Sequence, residues 1–582
     1  MHIATLEESH GQLHLALHFH RQGNLPGAKV LYLEVLKKSP FEPTALSNLA
    51  MIESASGNPE AAIGLYQKLV QCKPDDADAH NNLAYIQALA GRFKDALENY
   101  QHATTLAPYD SQIIVNYGLL LKRLGRLEDA LTMFSHSVPV EADNLDILCN
   151  RGNIFMEMGQ LDEALASYDR ALKIDPRNLV LLCNRSTLLC DLSRFDEGLT
   201  SSELAVKYHP LQAAAWAERG TALKNLDRNE DAINSYREAL KLNPGHLAAQ
   251  INLAGLYVSE TDATQESVRE SGKSLSLVLA SQFGRPAPGG VRISNFRLKH
   301  DLQQAQYLLA HGYKVNGLEN FIEAGEQIFS ANTGDASTVF DVPRQQHELM
   351  RPFLASQLVY EMPTGIDACL NPDNDWAAIE AAYLAGTPEI LYIDDFLSQP
   401  ALHAFQQFCL VSRVWLKEYT SCYLGAFSNQ GFVSPLHLQL ARELRTAMPR
   451  VFRDYLLGQL WAFKYDSVLG KGINVHADFA KVNLNFWITP DDSNLDKAAG
   501  GLKVYTAPAP ADWTFHDYNR DTKLIYEHLA TNGSESVTVP YKCNRAVLFN
   551  SALFHETDTI AFREGYENRR INMTYLFGRQ LV

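Results

Sequence analysis

Two patterns of apolar residues divide the chain. In the first half they recur at helical spacing, as at Ala61, Ala62, Leu65 and Tyr66, and the pattern returns every 34 residues from about residue 7 to residue 258. A turn residue marks each period at Gly23, Gly57, Gly91, Gly125 and Gly159, and becomes Ser193 and Asp227 in the last two. Five residues further on stands a small side chain: Ala28, Ala62, Ala96, Ala130, Ala164, Gly198 and Ala232. Proline closes the period at Pro40, Pro74, Pro108, Pro176, Pro210 and Pro244, with Ala142 the exception. Glycine ends a first helix, the small residue lets a second pack closely against it, and proline stops the second. Each helix pair buries only one face, so seven such units must stack into an all-α superhelix.

From about residue 388 the pattern is that of strands. "PEILYIDDFLS" predicts a short strand leading into the helix "QPALHAFQQFCLV". "QLWAFKYDSV", "KVNLNFWIT", "GGLKVYTA", "SVTVPY", "NRAVLFNSA" and "RRINMTYLFG" are short runs of β-branched and aromatic residues separated by turns. An antiparallel double-sheet barrel accommodates such a series. Between the halves the period is lost in "SETDATQESVRESGKSLS", "GRPAPGGVRISNF" is a Pro/Gly connection, and helical spacing returns in "KHDLQQAQYLLAHGYKVNGLENFIEAGEQIF". The expected organisation is therefore multidomain: an all-α array over 7–258 (seven repeats and a final helix), a helical connector over 259–385 without a catalytic motif, and a barrel with flanking helices over 386–582.

Composition narrows the function. Hydrophobic residues at 46% and charged residues at 20% are those of a globular protein, and 582 residues exceed one hydrophobic core. The formal net charge of −16 argues against holding nucleic acid by its phosphates. The eight scattered cysteines include no Cys-x-x-Cys pair, which favours free thiols over disulfides or a zinc site. No apolar run approaches the eighteen or so residues that span a bilayer, and "MHIATLEESHGQLHLALHFH" lacks the parts of a signal peptide, so a cytoplasmic chain is expected.

Candidate chemistry gathers around "VHADFAKVNLNFWIT". A chain with 19 histidines shows about one His-x-Asp by chance, so His476 and Asp478 decide nothing alone. Downstream, "NRAVLFNSALFHETD" places His555 at a strand end, and an arginine pair opens the next strand fifteen residues later. His476, Asp478 and His555 together make the two-histidine, one-carboxylate set that binds non-heme Fe(II) and leaves three positions open, enough for a bidentate 2-oxo acid and O2. The competing reading of His476 is a plain strand histidine. In "RRINMTYLF", Arg570, Asn572 and Thr574 share one face, while Ile571, Met573, Tyr575 and Phe577 form an apolar face that should pack on helices. That turns Arg570 inward, where its fork can pair with a distal carboxylate of 2-oxoglutarate, and leaves Arg569 on the packed side or rim. By the same alternation Val482, Leu484, Phe486 and Ile488 pack outward. Asn483, Asn485 and Trp487 then line the interior, where the amides need partners: Asn485, and less directly Asn483, are expected to contact co-substrate or prime substrate. Tyr465, on the preceding strand, is within reach of the 2-oxoglutarate carboxylate. His516 and His528 sit in a polar insertion and read as surface, "PDDSNLD" reads as a loop, and Trp513 and Phe515 read as packing or a lid.

The 34-residue period resembles the tetratricopeptide repeat family. On the first helix of its units an asparagine recurs at Asn48, Asn82, Asn116, Asn150, Asn184 and Asn252, replaced once by Glu218. Aligned by the superhelix, these amides resemble the asparagine ladder of the peptide-binding repeats in O-linked N-acetylglucosamine transferases, which implies a protein or peptide in the groove; bonding of the amides within the array is the alternative. Residues 388–578 resemble the Fe(II)- and 2-oxoglutarate-dependent dioxygenases of the prolyl-4-hydroxylase-like branch, on "ILYIDDFLS", "YDSVLGKGINVHAD", "GGL" at Gly500–Leu502, and "NRAVLFNSALFHET". The resemblance implies a double-stranded β-helix (jelly-roll) fold, iron on His476, Asp478 and His555, and 2-oxoglutarate on Arg570. Arginine where many of those hydroxylases have lysine, and the long insertion "PAPADWTFHDYNRDTKLIYEHLATNG", leave proline in doubt as the target. The implied activity is hydroxylation of a protein or peptide brought by the repeats. The alternatives are a small-molecule, lipid or sugar substrate with the repeats used for assembly, or a scaffold that senses iron or 2-oxoglutarate without turnover.

Overall fold

The computed structural model describes residues 2–135, 144–260, 265–283, 291–332, 334–363, 365–419, 421–466, 472–478, 480–510, 513, 515–519 and 521–578. The exceptional Ala142 of the fourth period lies outside them. The chain forms two compact units, Met1–Asp227 and Arg228–Val582.

The first unit consists of antiparallel helix pairs such as Pro43–Ala55 with Pro59–Cys72 and Ala77–Leu89 with Phe93–Leu106. Every predicted turn residue adopts a left-handed backbone, from Gly23 at φ +75° to Gly159 at φ +74°, and Ser193 at φ +58°. The following amide closes the helix end by bonding five residues back, as Asn58 does to Glu53 and Arg92 to Gln87. The small residues Ala28, Ala62, Ala96, Ala130 and Ala164 are fully buried. Where Gly198 replaces alanine, a methyl group would lie 3.2 Å from the Ser186 carbonyl oxygen.

In the second unit the helices Asn229–Leu242 and Leu247–Glu260 are repeat-like in sequence but fold with the C-terminal half of the chain: Leu247 and Ile251 pack against the unit's main core. The connector adds helices Gln265–Phe283, Asn295–Ala310, Leu318–Ala331 and Arg344–Leu354, and an antiparallel pair of strands, β1 (Val291–Ser294) and β2 (Val339–Val342), that helical spacing did not reveal. Its side chains Leu275, Phe296, Leu302, Phe321 and Phe353 share one core with the back of the larger sheet, so the connector is a wall of this unit.

Among the described residues the unit has ten further strands: β3 (Ile390–Ile393), β4 (Lys417–Tyr419), β5 (Tyr423–Phe427), β6 (Leu457–Tyr465), β7 (Val482–Trp487), β8 (Leu502–Pro508), β9 (Ser536–Val539), β10 (Ala546–Asn550), β11 (Leu553–Thr557) and β12 (Arg570–Phe577). They make a seven-stranded antiparallel sheet in the order β3-β10-β7-β12-β6-β5-β4 and a three-stranded antiparallel sheet in the order β11-β8-β9. Alternation along β7 and β12 falls as the sequence requires. Val482, Leu484, Phe486, Ile571, Met573, Tyr575 and Phe577 face the core shared with the helices. Trp487 faces a second core with Phe463, Tyr465, Val547 and Phe549 of the large sheet and Leu502, Val504, Val539 and Leu553 of the small one. The two sheets therefore pack face to face, and polar residues on the inner face of β7 and β12 lie between them.

Candidate functional site

One group of metal-ligating side chains stands out among the described residues: His476, Asp478 and His555, whose ligand atoms all lie within 4.8 Å of one another. His555 is not at the end of the strand that precedes it. A turn after Asn550 starts β11, which runs beside β8, so His555 belongs to the small sheet. An antiparallel bridge between His476 and His555, with reciprocal backbone hydrogen bonds of 3.0 and 2.8 Å, aligns the two histidines as neighbours. Their ring centroids are 4.3 Å apart.

The tautomers follow from the backbone. His476 Nδ1 donates to the Asn474 carbonyl at 2.8 Å and His555 Nδ1 to the Leu553 carbonyl at 3.2 Å. A carbonyl only accepts, so the proton sits on Nδ1 and each Nε2 presents a lone pair to the centre. His476 Nε2 is 3.8 Å from Asp478 Oδ1, and His555 Nε2 is 3.4 Å from Oδ2. Burial, with the neighbouring His555 adding to it, pushes His476 down to about 4, which keeps the imidazole neutral near pH 7. For Asp478 burial acts upward, but the contact with His555, the neighbouring His476 and the Asn483 N–H outweigh it and hold the carboxyl below its ordinary value. Two imidazoles with Nε2 turned to the centre and an ionised carboxylate could hold a divalent metal ion.

The insertion braces this constellation. Ala477, between two of the three side chains, donates its N–H to the Tyr518 carbonyl at 2.9 Å, and its carbonyl accepts from Asn519 Nδ2 at 3.3 Å. Helix Thr522–Thr531 packs Ile525 and Leu529 against Val475, Ala477 and Phe554 on the outer face of the small sheet. Tyr505 and Tyr526 each donate to Glu556, the residue after His555, at 2.5 and 2.7 Å. Trp513 packs in the same cluster, as aromatic packing would have it. His528, expected at the surface, is half-buried against Trp513 and Phe554 and bonds the Pro508 carbonyl, and the side chains of Phe515 and His516 lie outside the described residues. The bracing role of the insertion was not visible in its polar sequence.

A second polar group occupies the large sheet's inner face. Arg570 is buried and directly opposite Tyr465 in the register of β12 and β6. Its Nε and Nη2 donate to the carbonyls of Gly500 and Gly501 at 2.6 and 3.1 Å. The "GGL" sequence is needed there because a methyl group on Gly501 would lie 1.9 Å from the Val539 carbonyl oxygen. Arg570 Nη1 and Trp487 Nε1 have no hydrogen-bond partner although buried, and the Tyr465 hydroxyl, close to Arg570 and Thr557, forms no well-aligned bond with either. Burial lowers the Arg570 guanidinium and raises the Tyr465 phenol from their usual values. Three buried donors left open around a guanidinium fit a carboxylate, which only accepts. Arg569 turns the other way, to Gln303 and, at 3.5 Å, to Asp466.

Asn483 and Asn485 have protein partners. Asn483 donates to Asp478 Oδ2 at 2.6 Å, Asn485 donates to Asn483 Oδ1 at 2.5 Å, and Asn485 Oδ1 accepts from Asn572 and Thr574 at 2.9 and 2.7 Å. The sequence expectation that these amides contact co-substrate or substrate missed this, because β12's Asn572 and Thr574 supply the partners from far along the chain.

The repeat asparagines sit on the first helices of their units. Asn48 and Asn150 donate to the carbonyls of Thr44 and Asp146, one turn back in their own helices. Asn116 and Asn184 donate to Asn81 and Asn153 of the preceding repeats. Asn82 is placed equivalently, and Asn252 lies in the second unit. All eight cysteines are free, and among the described residues no helix is long and apolar enough to cross a membrane.

Models of the tetratricopeptide repeat match residues 41–108, 145–178 and 213–246. No curated protein matches the chain significantly. Among solved structures, a tetratricopeptide repeat protein from Parabacteroides merdae ATCC 43184 aligns at 18% identity over 42% of this chain and 98% of its own, with a TM-score of 0.36. YrrB, described as a TPR protein with an unusual peptide-binding site, aligns at 20% identity over 32% of this chain and 95% of its own, TM-score 0.27. MamA from Desulfovibrio magneticus RS-1 aligns at 20% identity over 28% of this chain and 93% of its own, TM-score 0.26. The 34-residue periods of the N-terminal half are tetratricopeptide repeats.

Proposed function

We propose that the second unit is an Fe(II)- and 2-oxoglutarate-dependent dioxygenase that hydroxylates a protein or peptide recruited by the tetratricopeptide repeats. One observation carries the reading: two imidazoles and a carboxylate converge with their ligand atoms free, in the same inter-sheet space as a buried arginine ringed by unpartnered donors. The chain path supports a double-stranded β-helix. From β6 to β12 it visits the large sheet, the small one at the His476 bridge, the large at β7, the small at β8 and β9, then large, small and large again.

In this reading His476 Nε2, His555 Nε2 and Asp478 Oδ1 are the iron ligands. Arg570 Nη1 and the Tyr465 hydroxyl take the distal carboxylate of 2-oxoglutarate, and Trp487 Nε1 is the third donor beside it. Leaving buried donors unsatisfied costs about 1–3 kcal/mol each, and the guanidinium charge favours an anion as their acceptor. Bound Fe(II) with 2-oxoglutarate and O2 supplies an oxidation that inserts one oxygen atom into a substrate C–H bond while the 2-oxo acid becomes succinate and CO2. The sheet cores around the ligands exclude bulk water, and the Nδ1–H bonds to backbone carbonyls hold the imidazoles toward the centre. The repeat asparagines present amides suited to the backbone of an extended peptide.

Succinate release with proteome-derived peptides, wild type against His476→Ala, tests the activity; equal yields sink it. A second reading has a specific basis: Asn48 and Asn150 already spend an amide N–H within their own helices, as repeats used only for assembly would. A small molecule would then be the substrate, and turnover would survive both Asn82→Ala/Asn116→Ala and loss of residues 1–227.

A further inference from the structure

The side chains between β7 and β12 form a one-way hydrogen-bond chain that ends on Asp478. A carboxylate only accepts, so Asn483 must turn its NH2 group to Asp478 Oδ2, at 2.6 Å. Its Oδ1 then faces Asn485, which must present its own NH2, at 2.5 Å. Asn485 Oδ1 is left to accept from Thr574 Oγ1 at 2.7 Å and Asn572 Nδ2 at 2.9 Å, and Asn572 Nδ2 also reaches Thr574 Oγ1 at 3.1 Å. The amide orientations are thus fixed by the network. All four residues are buried, Asn483 completely. Register explains the alignment: Thr574 pairs directly with Asn485, and Asn572 pairs with Trp487 on the diagonal.

We propose that Asn483, backed by Asn485, is a positioning residue for the metal-binding carboxylate: it occupies Oδ2 and so keeps Asp478 a one-oxygen ligand through Oδ1. This rests on the reading of His476, Asp478 and His555 as a metal site. A carboxylate free to rotate could bind with both oxygens and consume a coordination position that a co-substrate needs. In a buried chain each N–H polarises the next, so the last donor before the carboxylate is stronger than an isolated amide. Nothing in the strand's apolar packing requires two asparagines here, since the outward face of β7 already supplies Val482, Leu484 and Phe486 to the core.

The test is Co(II) titration of the metal-free full chain, followed by visible absorption, which reports affinity and coordination number without turnover. Asn483→Ala is expected to raise the Co(II) Kd by about tenfold to a hundredfold, the usual effect of losing a partner that orients a ligand, and to change the absorption band. Asn485→Ala, one link further away, should give a smaller loss of the same kind, and it serves if Asn483→Ala does not fold. Val547→Ala truncates the apolar register partner of Asn485 and should leave Kd and spectrum as in wild type. The proposal is overturned if Asn483→Ala and Asn485→Ala both match wild type, or if Val547→Ala loses affinity equally, which would make the effect one of packing. A wild-type chain that binds no Co(II) would remove the metal site itself; binding unaffected by the amide variants would remove only the positioning role.

Discussion

Arg570 and Tyr465 face each other across β12 and β6, with the guanidinium carbon 5.0 Å from the centre of the tyrosine ring. The guanidinium is anchored by two glycine carbonyls and keeps Nη1 unpartnered, so the pair is set for an acceptor with two oxygens. Arg570→Leu should abolish 2-oxoglutarate binding. Arg570→Lys keeps the charge but loses the fork and should weaken binding by about tenfold or more. Tyr465→Phe removes one hydrogen bond to a charged group, worth about 1.5–3 kcal/mol, which again predicts a loss of at least about tenfold. Calorimetry with 2-oxoglutarate measures all three; three variants that bind like wild type would show that the arginine serves only the fold.

The insertion's grip on Ala477 has its own consequence. Ile525 is fully buried against Val475, Ala477 and Phe554, so Ile525→Asp should undock helix Thr522–Thr531 and release the backbone between His476 and Asp478. Metal affinity is expected to fall together with protease resistance around residues 515–531. Asn519→Ala, which removes one hydrogen bond to the Ala477 carbonyl, should cost about 1 kcal/mol, or roughly fivefold in affinity. Unchanged Co(II) affinity in both variants would make the insertion a bystander.

What was legible in the chain depended on whether a local period recorded it. The 34-residue repeat specifies its turns residue by residue, and alternation along "KVNLNFWIT" and "RRINMTYLF" turned Trp487 and Arg570 inward and Arg569 outward, as found. Short elements without a period escaped: the β1/β2 strand pair, β4 and β5, and the turn that lifts His555 into a strand of its own. Partner choice escaped as well. Asn483 and Asn485 were visible as inward amides in need of partners, but pairing with Asn572 and Thr574 depends on a register set by strands far apart in sequence. The polar insertion hid its function because Tyr518 acts through a backbone carbonyl, which leaves no mark on residue type.

Ser193 stands where five earlier repeats have glycine, and it adopts φ +58°. A side chain in the left-handed region costs about 1–2 kcal/mol relative to the right-handed one, whereas glycine enters it freely. Ser193→Gly should therefore stabilise the array by up to about 1 kcal/mol, the unfolded chain's greater freedom offsetting part of the gain. Gly125→Ala should do the reverse, because the space around Gly125 is open and only its backbone, at φ +73°, resists a side chain. Urea midpoints followed by helix content check both; a lower midpoint for Ser193→Gly would mean that the serine side chain carries a compensating contact.

His437 gives the second unit a defined acid sensitivity. Its ring is buried among Phe405, Phe408 and Phe432 at centroid distances of 4.8 to 5.1 Å and lies 6.3 Å from Tyr575. Nδ1 meets the Ser434 hydroxyl at 2.7 Å, while Nε2 has no partner. Burial pushes the imidazole down to about 3, against about 6.5 when the chain is unfolded. Between those values the unfolded state holds a proton that the folded state lacks, so stability rises with pH through the window and is lost as pH falls from about 6.5 toward 3. His437→Asn keeps a partner for Ser434 but cannot titrate. Its stability should be lower overall through lost ring packing, yet its slope between about pH 4.5 and 6.5 should be shallower by about one proton, roughly 1.4 kcal/mol per pH unit. Buried His300 and half-buried His476, also shifted down, would retain their share of the slope. Urea unfolding across this range separates the two effects. A variant that loses stability at every pH with the wild-type slope would show that His437 becomes protonated without unfolding the unit.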